Sequence, residues 1–254
     1  MESVRVLDSD GRELSPCPLS KARRMLAQGR AALVREDPLT IQLPYAVRLP
    51  PGPQVAEGEK PGKGRRVLLH ICCGPCSTYC INRLREEGFL VTGFWYNPNI
   101  HPFAEHEKRL AGFEAYIRSV GLPVLREDGY EMALFLRLVA GHEARDQRCR
   151  LCYEMRLMRT AKVAAREGFD AITTTLLISP HQDQDMLLET GEKVARESGV
   201  EFHFENFRRG WSERGRLTRE HDLYRQQYCG CIYSEWERYA GEDISSSQTG
   251  VRDV

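Results

Sequence analysis

Apolar and polar residues alternate along "SVRVLD" near the amino terminus, the period of a half-buried strand. In "SKARRMLAQGRAALV" the apolar positions instead recur at helical spacing on a basic background, with Gly29 as the stop. "TIQLPY" closes this short unit as a second strand. The next stretch, "LPPGPQVAEGEKPGKGRR" at 49–66, is dense in Pro, Gly and charge and has no apolar period, so it reads as a flexible linker.

Beyond the linker, strand and helix patterns alternate. "RVLLHIC" is a continuous apolar run of strand length, "TYCINRLREEG" a helix ended by Gly88, and "LVTGFWY" a second strand. The helical "AEHEKRLAGFEAYIRSVG" follows, then a short strand in "LPVLRED" and an amphipathic helix in "YEMALFLRLVAG". "RCRLCYEMRLMRTAKVAAREG" predicts a long helix, "DAITTTLL" a strand, "QDMLLETGEKVARESG" a helix and "VEFHFE" a strand. This alternation requires crossover connections. It predicts an α/β fold with a Rossmann-like, mostly parallel sheet flanked by helices, preceded by a small amino-terminal α+β module. The expected boundaries are 1–48 for the module, 49–66 for the linker, 67–240 for the main domain and 241–254 for a disordered polar tail.

With 254 residues, 41% of them hydrophobic, the chain can bury one substantial core and a small appendage. Basic and acidic residues number 36 each, so a polyanionic partner must be argued from local patches. No apolar run approaches eighteen residues and "MESVRVLDSDGREL" is too charged for a signal peptide, which predicts a cytoplasmic protein without a membrane span.

Nine cysteines change the picture. In a reducing compartment clustered thiols bind metal or do redox chemistry. Cys72, Cys73, Cys76 and Cys80 lie in "LLHICCGPCSTYC", Cys149 and Cys152 in "RCRLCY", and Cys229 and Cys231 in "YCGCIY". Cys17 stands alone and reads as a buried structural thiol. In open α/β sheets ligands sit beyond the carboxyl ends of the strands. Cys72 and Cys73 fall there, Gly74-Pro75 makes the turn, and Cys76 opens the next helix. Cys149 and Cys152, three apart, share a helix face, and capping by Asp146 puts both in first turns that favour thiolate. Cys229 and Cys231 flank one glycine, a spacing for a chelate or a strained, easily reduced disulfide. Structural zinc and a Cys₄ iron–sulfur cluster each need four thiolates. Either leaves a surplus of thiols for catalysis; the spacing puts iron–sulfur slightly ahead of zinc, although ligand softness does not separate the two.

"LLHICCGPCS", "FWYNPNIHP", "RCRLCYEMRL", "ITTTLLISPH" and "YRQQYCGCIYS" occur in the order found in epoxyqueuosine reductases of the QueH type, which the chain resembles from about Arg66 to Tyr239. The resemblance implies a cobalamin-independent oxidoreductase that converts epoxyqueuosine to queuosine at the wobble position of tRNAs for Asp, Asn, His and Tyr. It also implies a [4Fe–4S] cluster on Cys72, Cys73, Cys149 and Cys152, an additional mononuclear iron to which Cys76 contributes, and a redox-active pair in Cys229 and Cys231. An electron donor such as ferredoxin or flavodoxin is expected. Cys80 reads as core.

The implied chemistry removes an oxygen with two electrons, and no ordinary side chain supplies them. A proton must reach the departing oxygen. His101, His181 and Tyr96 lie on the predicted strand-end loops as donors, each with a packing or capping role as its alternative. Asn97 and Asn99 either shape a turn or bond the substrate. Thr173 to Thr175 read as strand filler whose last hydroxyl reaches the site. For tRNA, "FRRGWSERGR" offers Arg208, Arg209, Trp211, Arg214 and Arg216 in an exposed loop, cations for phosphate and an indole for stacking, against the alternative of a solvated surface loop.

The amino-terminal "VLD", "PLSKARRMLAQGRA" and "VREDPLTIQL" resemble the RRXRR module of nucleic-acid-binding proteins, with Arg23, Arg24, Arg30 and Arg35 as phosphate contacts. Two rivals remain at this stage. An iron–sulfur tRNA thiolase calls for a Gly/Ser-rich nucleotide loop where this chain has "CCGPCST". A zinc-stabilised RNA-binding protein calls for a colourless zinc site.

Overall fold

The computed structural model describes residues 3–11, 13–45, 62–127 and 129–241. The chain divides into two compact units, Met1–Pro53 and Gln54–Val254.

The first unit holds β1 (Ser3–Leu7), β2 (Glu13–Pro18), α1 (Leu19–Ala27), β3 (Ala32–Glu36) and β4 (Leu39–Gln42). Its sheet runs β2-β1-β4-β3, with β1 and β4 parallel and the outer pairs antiparallel. Val4, Val6, Ala22, Ile41, Leu43 and the thiol of Cys17 form its core. Two strands escaped the sequence reading. β2 contains Pro16 and Pro18, which argue against a strand but are tolerated on an edge. β3 is an exposed edge along its whole length, so it lacks the alternation by which strands are recognised, and the sequence reading gave it no element. Gly29, at φ +65°, ends α1 before it.

Of the expected linker, residues 49–61 lie outside the described residues. Residues 62–65 belong to the second unit: Gly62 and Gly64 donate backbone N–H bonds to the carbonyls of Glu87 and Gly88. Of the expected tail, 242–254 likewise lie outside the described residues.

The second unit comprises β5 (Arg66–His70), α2 (Gly74–Glu86), β6 (Leu90–Trp95), α3 (Phe103–Ser119), β7 (Val124–Arg126), α4 (Met132–Val139), α5 (Arg145–Arg166), β8 (Ala171–Thr174), α6 (Gln184–Ser198), β9 (Glu201–Phe202), α7 (Trp211–Glu220) and α8 (Ile232–Ala240). The five strands are all parallel in the order β7-β6-β5-β8-β9, as the alternating pattern predicts. Val67, Leu68, Leu69 and His70 on the central β5 have no solvent exposure, which is why "RVLLHIC" reads as a continuous rather than an alternating run. The chain winds outward from β5 through β6 to β7, then returns to β8 on the other side. The crevice between the carboxyl ends of β5 and β8 is therefore the topological switch point, where such folds bind ligands.

Three local features differ from expectation. After β8 the chain tightens into a 3-10 turn, Thr175–Ile178, because the Thr174 side chain accepts the Leu176 N–H. "FRRGWSERGR" is a 3-10 turn, Phe207–Gly210, running into α7, not an exposed loop. The sequence after "YCGC" forms α8. Among the described residues no helix is long and apolar enough to cross a membrane.

Candidate active site

At the switch point β5 ends in a turn that α8's and α2's flanking segments enclose with thiols. The Cys72 backbone N–H donates to Thr175 Oγ1 at 3.1 Å, and that hydroxyl donates to Cys72 Sγ at 3.3 Å. The last hydroxyl of the "TTT" run thus reaches the site, as expected. Cys73, in extended conformation, precedes the first turn of α2, and Pro75 occupies that turn, where its missing N–H costs nothing. Gly74 lets this helix end lie against α3, since a Cβ there would meet the Gly112 carbonyl at 3.0 Å. The result is a triad: the Sγ atoms of Cys72, Cys73 and Cys76 lie within 4.8 Å of one another. Cys72 and Cys73 are 3.8 Å apart. The Gln226 amide donates to Cys73 Sγ at 3.1 Å and to Cys76 Sγ at 3.6 Å. Hydrogen bonds from the Cys72 and Cys73 thiols outweigh burial and hold the Cys76 thiol well below its usual range, with help from the Arg214 charge and Gln226. Cys76 also lies in the first turn of α2, close to its positive end.

A second set of thiols joins α5 to the segment before α8. Cys149 is pushed up to about 12, chiefly by burial and then by the Cys229 charge. Burial also raises Cys152, outweighing the Arg156 cation, and raises Cys231, on which the Cys229 charge acts next. This corrects the expectation that the amino-terminal end of α5 favours thiolate. Asp146 lies within the first turn, not at the cap, and burial is the largest influence on both thiols. Cys231 packs with Cys152, Phe135 and Val139, while Cys229 is exposed and accepts the Gln182 amide at 3.4 Å. Between them Gly230 takes φ +149°, and a Cβ would meet Asn99, Arg109 and Ile100 at 3.2 to 3.3 Å. No disulfide joins the nine cysteines, and Cys80 is buried core.

The structure distributes the other candidates unevenly. His181 is exposed and lines a cavity of about 520 Å³ with Cys149, Tyr153, Arg145 and Asp146. Tyr96 donates its hydroxyl to Glu131 at 2.6 Å under the Arg159 guanidinium, and burial with this carboxylate pushes it up to about 12. His101 is buried, accepts the Ile232 N–H on Nδ1 at 3.3 Å, and is depressed by burial to about 4. Asn97 donates to the Ile71 carbonyl at 2.8 Å, a turn-shaping role. Of the basic segment, Arg208 donates to the carbonyls of Ser179 and Gln182, bracing the loop that carries His181. Arg214 is buried, 4.3 Å above the half-buried Trp211 ring. Arg216 pairs with Glu213 and Glu220, and Arg209 is exposed. The expected exposed patch is thus largely turned inward or ion-paired.

Residues that the sequence reading passed over line the thiols. His70 is fully buried between Thr174 Oγ1 at 2.9 Å and the Tyr96 carbonyl at 3.2 Å, and burial lowers it to about 4. Arg109 donates to Glu105 and to the Tyr228 and Cys229 carbonyls, fixing the approach to "CGC". Gln182, Gln226 and the buried Arg156 complete the shell. Their only sequence signal is polarity inside otherwise apolar elements, as in "LLHIC", which also fits solvent-facing positions.

The profile of the epoxyqueuosine reductase QueH family matches residues 67–237, and that of the RRXRR protein family matches residues 4–64. Curated relatives named epoxyqueuosine reductase QueH include one from Dehalococcoides mccartyi, 42% identical over 68% of this chain and 94% of its own length. The Thermotoga maritima relative is 35% identical over 68% of this chain and 91% of its own. That from Helicobacter pylori is 36% identical over 66% of this chain and 49% of its own. With thiols gathered at the switch point of a parallel sheet and a profile match across two-thirds of its length, this chain belongs to the epoxyqueuosine reductase QueH family.

Proposed function

We propose that this protein reduces epoxyqueuosine to queuosine in tRNA without cobalamin, acting on the tRNAs for Asp, Asn, His and Tyr. The observation that carries the reading is the buried Cys72–Cys73–Cys76 triad at the β5/β8 switch point of a chain with QueH relatives. The reaction opens both carbon–oxygen bonds of the epoxide, takes up two electrons and two protons, and releases water as the alkene forms.

The donor set fits a metal centre. A separation of 3.8 Å between Cys72 and Cys73 matches two thiolates on one tetrahedral ion with bonds of about 2.3 Å. Soft thiolates, amide donors to sulfur and buried arginine charge also suit an iron–sulfur cluster, which would supply low-potential electrons singly. We assign Cys72, Cys73, Cys149 and Cys152 as ligands of a [4Fe–4S] cluster and Cys76 as the thiol beside an additional iron. Cys229 and Cys231 are the redox-active pair, a reading supported by the exposure of Cys229 against the burial of Cys231. The triad's spacing favours a second reading, in which Cys72, Cys73 and Cys76 together hold the single additional iron. His181, at the cavity beside Cys149, is the preferred proton donor. Tyr96 is a weaker candidate because its proton is shared with Glu131. A ferredoxin or flavodoxin supplies the electrons.

Anaerobic protein given epoxyqueuosine-containing tRNA and a low-potential reductant should yield nucleoside lighter by one oxygen. It should also carry iron and acid-labile sulfide. Zinc alone with no turnover would refute the assignment.

A further inference from the structure

Arg156 on α5 is 1% exposed and is one of the largest fully buried side chains of the protein. Its Nε donates to the Cys152 carbonyl at 3.1 Å, and Nη2 has no hydrogen-bond partner among the described residues. Two other deeply buried arginines have carboxylates, Arg109 with Glu105 at 2.7 Å and Arg148 with Glu237 at 2.6 Å, while the buried Arg214 lies over the Trp211 ring. Arg156 has no carboxylate within ion-pair distance among the described residues. The groups that act on it include Cys152, Cys229 and Cys72, one from each cysteine motif, together with Tyr153. A guanidinium cannot shed its proton, so a buried one without an anion is strongly destabilising.

We propose that Arg156 is an electrostatic positioning residue whose buried, carboxylate-free guanidinium is neutralised by the thiolate-bound centre and raises that centre's reduction potential. The inference rests on the iron–sulfur reading above. Adding one electron from the carrier adds one negative charge at the thiols without breaking a bond. A fixed cation between the motifs stabilises the reduced form, and the low surrounding polarity strengthens the effect. The unpartnered Nη2 is the donor available to that anionic centre.

The test compares anaerobic wild type, Arg156→Gln and Arg156→Lys by iron and sulfide content and by dye-mediated redox titration. With iron content retained, Arg156→Gln should lower the reduced-to-oxidised ratio at a given potential by about tenfold, a shift of about 59 mV for one electron to more negative values. Arg156→Lys, which keeps the charge but not the fork, should recover most of it. An unchanged midpoint in a fully loaded Arg156→Gln overturns the proposal. Should that variant take up no cluster, urea unfolding of the metal-free proteins decides. The proposal expects the variant to be at least as stable as metal-free wild type, and a less stable variant would assign Arg156 to packing and overturn it. Wild type without any cluster would instead sink the iron–sulfur reading, a different result from a loaded wild type whose potential ignores Arg156.

Discussion

Thr175 and Cys72 exchange two hydrogen bonds: the Cys72 N–H donates to the threonine hydroxyl at 3.1 Å, and that hydroxyl donates to Cys72 Sγ at 3.3 Å. One side chain therefore ties the carboxyl ends of β5 and β8 together across the switch point and orients the first thiol. Thr175→Val keeps the shape and removes both bonds, leaving a backbone N–H unsatisfied. We expect a loss of about 1–3 kcal/mol of stability and reduced iron retention on gel filtration. Unchanged unfolding midpoints and iron content would remove Thr175 from this role.

Gly230 holds Cys229 and Cys231 apart in opposite environments at φ +149°. Gly230→Ala combines that strained conformation with contacts of 3.2 to 3.3 Å to Asn99, Arg109 and Ile100. The expected cost is roughly 1–3 kcal/mol, with turnover falling while cluster iron stays, because the cysteines it displaces are those assigned to electron exchange. Denaturant titration and iron analysis on one preparation check both halves.

Replacing the pair itself separates relay from ligand. Cys229→Ser and Cys231→Ser should each keep the cluster irons and lose multiple turnover. A drop of roughly one iron per chain would mean that the pair holds the additional iron instead, since a site short of a thiolate binds iron weakly. Wild-type turnover in both would defeat the two readings together.

His101 gives a pH signature. Its folded value is about 4 against 6.5 ordinarily, so the unfolded chain binds the proton first as pH falls. The stability it contributes is fully present above about pH 6.5 and is lost as the pH drops from there to about 4. Unfolding free energies measured across this window should slope less steeply in His101→Gln than in wild type. Equal slopes would show that His101 does not titrate this way.

The amino-terminal unit has its own core, so it can be removed. Deleting Met1 to Arg48 should leave cluster content intact, weaken tRNA affinity and flatten its salt dependence, because the lost arginines no longer displace counterions from phosphate. Binding unchanged over a salt series would deny the unit an RNA-contacting role.

What the linear chain determined by itself was the alternating order of strands and helices in the second unit, its parallel sheet, and the placing of "CCGPC" beyond the first strand. These follow from local periodicity and from the rule that parallel neighbours need crossovers. The five ordered motifs also carried the family. Tertiary structure alone decided how the thiols group and what charges they meet. Cys76 joins Cys72 and Cys73 because Gly74 lets α2 start against α3, a contact between segments far apart in sequence. Burial, more than any neighbouring charge, raises the Cys149 thiol, and burial is a property of the packed whole. Arg208 and Arg214 read as surface cations until packing turned them inward, and nothing along the chain marks Arg156 as buried. A motif specifies which groups are present and how close they are along the chain. Which of them share a desolvated volume, and with which counter-charge, is set only when the sheet and its helices close around them.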